Sequence, residues 1–465
     1  MRVKLRLSQT DHALLRNHLL PGDNLEAVAV ALCGRRRSKS LHCLTVRSVT
    51  PIPYNECKVR REDRVTWSTK RLIPLLEEAE KRDLAILKIH SHPGGYSEFS
   101  PTGNDSDADL FNSVFGWTDS AFPHASAVML PDGEMFGRAI MRNGDFQPLD
   151  SILVPGDDIR FWTPGYSGRP PGFMQRHAQL FGAGTTHKLR DMSAAVIGCS
   201  GTGSPVIEQL ARLGVGRIVL IDPDRVEEKN LNRILNATRE DAYLKRLKVE
   251  VMARAIARMG FGTDVEIIPK DLATPDAVKA VAECDVVFGC MDGVEGRHLL
   301  NRLAAFYLLP YFDLGVKLVA DGAGGIAEAV GAVHYLRPDG TTLQDRKVYT
   351  SGHLKAAGLR RTDPEAYRAQ VEAGYIKGVE EDRPAVISIN MQIASTAVNE
   401  FLARLHPYRY DENAEFSVVR TGFIQGAGYH ESEGIPSGTF FRNLGKADVS
   451  PLLSMPELSQ PEETN

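Results

Sequence analysis

Two short segments of this chain place residue types at spacings suited to chemistry. The first is VIGCSGTGSP, where Gly198, Gly201 and Gly203 lie between an apolar run and a segment of helical character. Glycines at such a junction let the backbone approach a phosphate, and the helix start offers free N–H groups and a positive dipole end. Taken alone, the turn suits an ATP site, a dinucleotide site or a purely structural turn. Asp222 follows about twenty residues on, as a nicotinamide-dinucleotide site requires, but the spacing is GxxGxG rather than GxGxxG. The second segment is IHSHPGG, with His90 and His92 two residues apart. On extended backbone both imidazoles project to the same side and can share one zinc ion.

These segments need elements to hold them. Residues 1–150 read as an α/β unit. In it Glu26–Cys33 and Leu41–Val49 are strands, Thr69–Arg82 is an amphipathic helix, and Ala85–Ile89 is a strand feeding into His90. The Pro- and Gly-dense residues 151–172 read as a linker. Beyond it, strands Ser193–Ile197, Arg217–Ile221, Val265–Pro269 and Asp285–Gly289 alternate with helices Pro205–Leu213 and Leu247–Met259. That alternation predicts a parallel, doubly wound sheet over residues 173–425. Residues 426–465 are rich in Gly, Ser, Pro and Glu and read as a partly disordered tail.

A chain of 465 residues suits two or three domains, and 43% hydrophobic with 25% charged residues is a globular composition. A net charge of -4 gives no drive toward nucleic acid or anionic membrane. No apolar run is long enough to span a bilayer, and MRVKLRLSQTDH lacks the apolar core of a signal peptide. Six scattered cysteines without paired spacing argue against a disulfide framework or a zinc knuckle, so a reducing cytoplasm is the expected compartment.

The glycine turn continues into IDPDRVEEKNLNR (Ile221–Arg233), Lys248 in RLKVE and Asp292 in VVFGCMDG, and is preceded by RHAQLFG (Arg176–Gly182). This series resembles the ThiF, MoeB and ubiquitin-activating enzyme family. The resemblance implies a Rossmann-like domain that uses ATP to adenylate the C-terminus of a ubiquitin-like protein. A carboxylate must attack the α-phosphorus and expel pyrophosphate, so such a site must neutralise a crowded polyanion. By resemblance, Asp222 holds the ribose hydroxyls, Asn230, Arg233 and Lys248 contact the phosphates, and Asp292 holds Mg²⁺. Arg176 is supplied across a homodimer interface. No cysteine follows Cys290, and TTLQDRK stands after LRPDG where the family often keeps a zinc-binding CxxC. Either the reaction stops at the acyl-adenylate for a partner's nucleophile, such as a conjugating-enzyme-like protein, or a hydroxyl of Ser351 or Thr350 takes the acyl group with His353 nearby in sequence.

In the first 145 residues, His90, His92 and Pro93, with Ser100 in the downstream FS and Glu26 in LEAVAVALCG, resemble the JAMM (MPN-plus, Mov34/Pad1-like) metalloprotease family. The resemblance implies that His90, His92 and a carboxylate bind zinc, that Glu26 takes a proton from the metal's water, and that Ser100 stabilises the oxyanion. The family's SxxD pattern would put the carboxylate at position 103, where this chain has Gly103. Asp105 is the expected third ligand, with Asp107 behind it; an inactive, metal-poor scaffold is the alternative. His124 and His177 are read as unrelated to the site. Together the two resemblances imply a bifunctional enzyme of bacterial ubiquitin-like conjugation, of the kind met in antiphage defence. Sulfur-carrier activation for biosynthesis and a non-catalytic assembly or sensor protein are the competing readings.

Overall fold

The computed structural model describes residues 1–165, 168–373 and 384–458. The chain divides into two compact units. The first is Met1–Ser167 with Ala305–Leu308 and Asn443–Pro456; the second is Gly168–Ala304 with Leu309–Arg442 and Glu457–Asn465.

The first unit contains β1 (Arg2–Arg6), α1 (Gln9–Leu19), β2 (Val28–Arg37), β3 (Leu41–Pro51), β4 (Cys57–Arg61), β5 (Arg64–Trp67), α2 (Leu72–Arg82), β6 (Ala85–Ser91), α3 (Pro101–Thr118), β7 (His124–Met129), β8 (Met135–Ile140), β9 (Phe146–Pro148), β10 (Ser151–Pro155) and β11 (Ile159–Trp162). Its mixed sheet runs β11-β10-β1-β3-β2-β6-β7-β8-β9, and β4 pairs with β5 as a separate hairpin. Period-two alternation sends side chains of β2 to two different cores. Ala29, Ala31 and Cys33 pack with Leu15 and Leu19 of α1, while Val28, Val30 and Leu32 pack with Leu72 and Leu76 of α2 and Phe111 and Val114 of α3. Strand β6 follows the same rule, so Lys88 and His90 share the face of Ile86, toward α2 and α3.

Two expectations are corrected here. The region read as a linker contains β10 and β11, which pair antiparallel at the edge of the sheet. Ile159 and Phe161 are buried and alternate with Arg160 and Trp162, a period too short to register among the flanking prolines and glycines. The tail also holds order: Asn443–Pro456 returns to the first unit. Gly445 O accepts a bond from Thr45 Oγ1 at 2.8 Å, and Asp448 receives Tyr307 OH at 2.8 Å and pairs with Arg36 at 3.3 Å. Gly34 permits this approach, because a β-carbon there would overlap the carbonyl of Gly445.

The second unit contains α4 (Gln175–Asp191), β12 (Ser193–Ile197), α5 (Gly203–Arg212), β13 (Arg217–Ile221), α6 (Arg239–Tyr243), α7 (Lys248–Met259), β14 (Asp264–Ile268), α8 (Pro275–Ala282), β15 (Val286–Gly289), α9 (Val294–Tyr307), β16 (Tyr311–Ala320), β17 (Ile326–Leu336), α10 (Ser351–Thr362), α11 (Pro364–Glu372), α12 (Ile387–Leu405), β18 (Val418–Gly422) and β19 (Ala427–Glu431). The sheet order is β14-β13-β12-β15-β16-β17-β18-β19. Strands β14 to β16 are parallel, and the antiparallel run begins where β17 joins β16. Strand β12 has β13 on one side and β15 on the other, so the chain order reverses at its C-terminal end. That crevice is where open α/β sheets bind ligands.

Among the described residues no helix is long and apolar enough to cross a membrane. Filling the Gly34 contact tests the role of the returning segment. Gly34→Val is expected to cost about 2 kcal/mol and to lower the melting temperature by about 4–8 °C. An unchanged melting curve in calorimetry would show that Asn443–Pro456 contributes nothing to the first unit.

Candidate functional site

The glycine turn closes tightly at the end of β12. Gly198, at φ +92°, donates its N–H to Ile221 O at 2.8 Å, and a β-carbon on Gly203 would overlap the Gly198 carbonyl. Helix α5 can therefore start immediately, with its free N–H groups at the switch point. Asp222 follows β13 and is buried. Its Oδ2 accepts from Cys199 N at 2.7 Å and its Oδ1 from Asp224 N at 2.9 Å, which fixes the carboxylate against the turn. Burial pushes its pKa above the usual aspartate value, opposed by Lys248.

Lys248, Asn230 and Arg233 lie on segments around the turn. Lys248, buried at the start of α7, reaches Asp224 Oδ2 at 2.7 Å and lies 3.9 Å from Asp222 Oδ1. Asn230 is buried, and its Oδ1 accepts from Glu227 N at 3.1 Å, so it caps the short 3-10 turn that presents Arg233. The Arg233 side chain passes close to Gly201, with Cδ 3.3 Å from where a β-carbon would stand. Asp292 is exposed just beyond β15. Arg176 is exposed near the start of α4, and among the described residues no contact ties its side chain to the turn.

The sequence reading missed a second tier of groups at this edge. Asp313 pairs with Gly289 across β15 and β16 and is buried; Arg297 Nε donates to its Oδ1 at 3.1 Å, and Tyr311 OH does so at 2.7 Å. Its Oδ2 is buried without a hydrogen-bond partner, and the nearby charge of Asp292 adds to burial in raising its pKa. An exposed carboxylate beside a buried, unsatisfied one is an oxygen donor set of the kind that Mg²⁺ takes. The signal was present in sequence as an aspartate inside the apolar run LPYFDLGV. Asn390, on the first turn of α12, also lies against Gly201.

In the first unit, Glu26, His90 and His92 are all buried, and their ligand atoms lie within 4.8 Å of one another. His90 Nε2 is 3.2 Å from His92 Nε2, and His92 Nε2 is 4.0 Å from Glu26 Oε1. Two nitrogens on one tetrahedral zinc stand about 3.3 Å apart, given Zn–N bonds of about 2.0–2.1 Å. Burial lowers the pKa of both imidazoles, keeping them neutral. His92 Nδ1 lies 2.6 Å from Tyr96 O; with the proton there, Nε2 keeps its lone pair for a metal. Burial pushes Glu26 up to about 7, against the pull of Lys88, so its carboxylate is poised to exchange a proton near neutral pH.

The third ligand is not where the sequence put it. Ser100 is the N-cap of α3, its Oγ accepting from Gly103 N at 3.0 Å, so position 103 is the third residue of a helix rather than part of a loop. Each helical residue rotates the side chain by about 100°, so Asp105 points roughly 200° away from position 103 and is exposed. Asp107, one turn on, returns to the inner face, where Lys88 Nζ at 2.7 Å and Arg138 Nη2 at 2.6 Å occupy it. Burial alone would raise its pKa, but these two cations hold it below the usual range. The hydroxyls weighed as acyl acceptors have structural partners: Thr350 Oγ1 caps α10 by accepting from His353 N at 3.2 Å, and Ser351 Oγ accepts from Gln344 Nε2 at 2.8 Å. Cys290 is no better suited, since burial pushes its thiol far up.

With this geometry established, comparison with known proteins is decisive for the second unit. Residues 174–418, more than half of the chain, match the ThiF family. The chain belongs to the ThiF family. Relatives include ubiquitin-like modifier-activating enzyme 5 of Drosophila persimilis, 29% identical over 166 residues covering 33% of this chain and 40% of that protein. Adenylyltransferase and sulfurtransferase MOCS3 of Mus musculus is 37% identical over 120 residues, 25% of this chain and 26% of its own. The chain thus spans less than half the length of these curated relatives. Among solved structures, E. coli MccB with ATP has 17% identity and a TM-score of 0.43, covering 59% of this chain and 74% of its own.

Two substitutions separate the roles of the acidic residues on α3 of this ThiF-family chain. After incubation with zinc, Asp105→Ala is expected to take up as much of the ion as the unaltered chain and to keep its melting temperature. Asp107→Ala leaves two cations buried without their counter-charge and is expected to destabilise the first unit by about 3–5 kcal/mol. Loss of zinc from Asp105→Ala, read by metal analysis of the purified chain, would restore Asp105 as a ligand.

Proposed function

We propose that the second unit activates the C-terminal carboxylate of a small carrier protein by adenylation. The carrier is of ubiquitin-like or sulfur-carrier type. The observation that carries this reading is the buried Asp222, fixed against the glycine turn at the switch point with Lys248 beside it. In the reaction a carboxylate oxygen forms a bond to the α-phosphorus, the bond to the β-phosphate oxygen breaks, and pyrophosphate leaves with the electron pair. Asp222 orients the ribose, Arg233, Lys248 and Asn230 face the phosphates, and Asp292 holds Mg²⁺, which offsets charge on the polyphosphate. Arg176, exposed on α4, acts from the second copy of a homodimer. With no activated thiol at Cys290 and the hydroxyls of Thr350 and Ser351 engaged locally, the reaction ends at the acyl-adenylate, and a separate protein supplies the nucleophile.

The first unit, in this reading, is a zinc peptidase of JAMM type that trims or removes the same carrier. The close set of Glu26, His90 and His92 supports it. His90 and His92 would hold a zinc ion, which would supply Lewis acidity there, and Glu26, 4.0 Å from His92, would move the proton. The names of two relatives, one for ubiquitin-like modifier activation and one for adenylyl and sulfur transfer, support both carrier types.

Pyrophosphate exchange into ATP tests the adenylation reading, using full-length chain with ubiquitin-like proteins that end in a free glycine carboxylate. Exchange that depends on the carrier is expected, with Asp292→Ala and Lys248→Ala each lowering its rate about 100-fold or more. No exchange with any such carrier would overturn the reading. For the first unit, a carrier bearing a C-terminal extension is expected to be cut by the zinc-loaded chain, and not by Glu26→Ala at equal zinc content. Equal cleavage by both would remove Glu26 from the chemistry.

A further inference from the structure

The start of α12 bears on the glycine turn in a way that none of the residues considered so far explains. Asn390 lies in the first turn of this helix and is only 5% exposed. Its Nδ2 occupies the space that a β-carbon on Gly201 would need, and the Arg233 side chain approaches the same point. Gly201 directly precedes Thr202, the N-cap of α5. The N-terminal ends of α5 and α12 therefore meet at the turn, and both helices bring positive dipole ends and free backbone N–H groups there. Asn390 adds a side-chain amide, with two N–H donors, for which there is no hydrogen bond among the described residues. The amide is not fully enclosed, so its N–H groups are open to an acceptor that enters the turn.

We infer that Asn390 is a catalytic residue whose Nδ2 donates to a phosphoryl oxygen of the nucleotide at the glycine turn, at the α-phosphate. This rests on the adenylation reading above. The α-phosphate is favoured over the outer phosphates because Asn390 sits against Gly201, within the turn whose Cys199 N–H holds the Asp222 carboxylate. A neutral amide fixed in a helix suits the one phosphorus that changes geometry. As the carboxylate oxygen adds and pyrophosphate departs, charge builds on the non-bridging oxygens of that phosphorus, and a fixed donor gains strength there without adding a charge of its own. The absent side chain of Gly201 then has a second purpose: it leaves room for the Asn390 amide.

Calorimetric titration of the full chain with AMP, adenosine and the magnesium complex of α,β-methylene-ATP tests this. Asn390→Ala is expected to weaken AMP and the ATP analogue by about tenfold each, to leave adenosine unchanged, and to keep the melting temperature of the free protein. Gly201→Ala, whose methyl displaces the amide, is expected to reproduce that pattern. Asp222→Ala, in contrast, weakens all three. Equal loss of adenosine and AMP in Asn390→Ala, or no loss of either, would overturn the inference while Asp222→Ala still upheld the nucleotide site. If the unaltered chain bound none of the three, the adenylation reading and the inference would fall together.

Discussion

The second unit depends on one close approach: the α-carbon of Gly203 against the carbonyl of Gly198. With any side chain at 203 the turn could not close, and α5 would begin further from the end of β12. Closing it sets the free N–H groups of α5 at the crevice between β12 and β15 and brings Cys199 N onto Asp222 Oδ2. That bond ties the turn to β13, and Lys248 ties α7 to the same carboxylate. The turn backbone, the Asp222 carboxylate and the Lys248 cation are therefore positioned by a single steric condition. Burial raises the pKa of Asp222, and the lysine and two backbone donors oppose that shift.

In the first unit the comparable constraint is the start of a helix. Ser100 caps α3 where a loop was expected, and this decides which acidic residues can reach the histidines. It turns Asp105 outward and commits Asp107 to Lys88 and Arg138. Glu26 remains as the carboxylate near His90 and His92, with its pKa near 7. The electrostatics of this pocket thus come from β6 and α3 together: Lys88 both neutralises Asp107 and opposes the upward shift of Glu26.

Much of this was readable from residue order, for identifiable reasons. The parallel strands of the second unit are continuous apolar runs broken by glycine and acidic turns, so β12, β13 and β15 were placed nearly to the residue. The pair His90 and His92 was readable because extended backbone fixes their direction. Asp105 was misread because Gly103 and Asn104 suggest a loop, whereas a serine cap followed by proline starts a helix equally well. The strand β11 was hidden because its alternation is only four residues long among prolines and glycines, and the returning segment Asn443–Pro456 because its partners lie far away in sequence. Asp313 and Asn390 lie far along the chain from the glycine turn, and only the sheet order and the packing of α12 on α5 bring them to it.

The central claim is that the GxxGxG turn with Asp222 is an ATP site and not a dinucleotide site. Competition between ATP with Mg²⁺ and NAD⁺ for the full chain, followed by isothermal titration, tests it most directly. The account predicts one ATP bound per chain, lost in Asp222→Ala, and no displacement by NAD⁺ at equal concentration. Tighter binding of NAD⁺ than of ATP would contradict it.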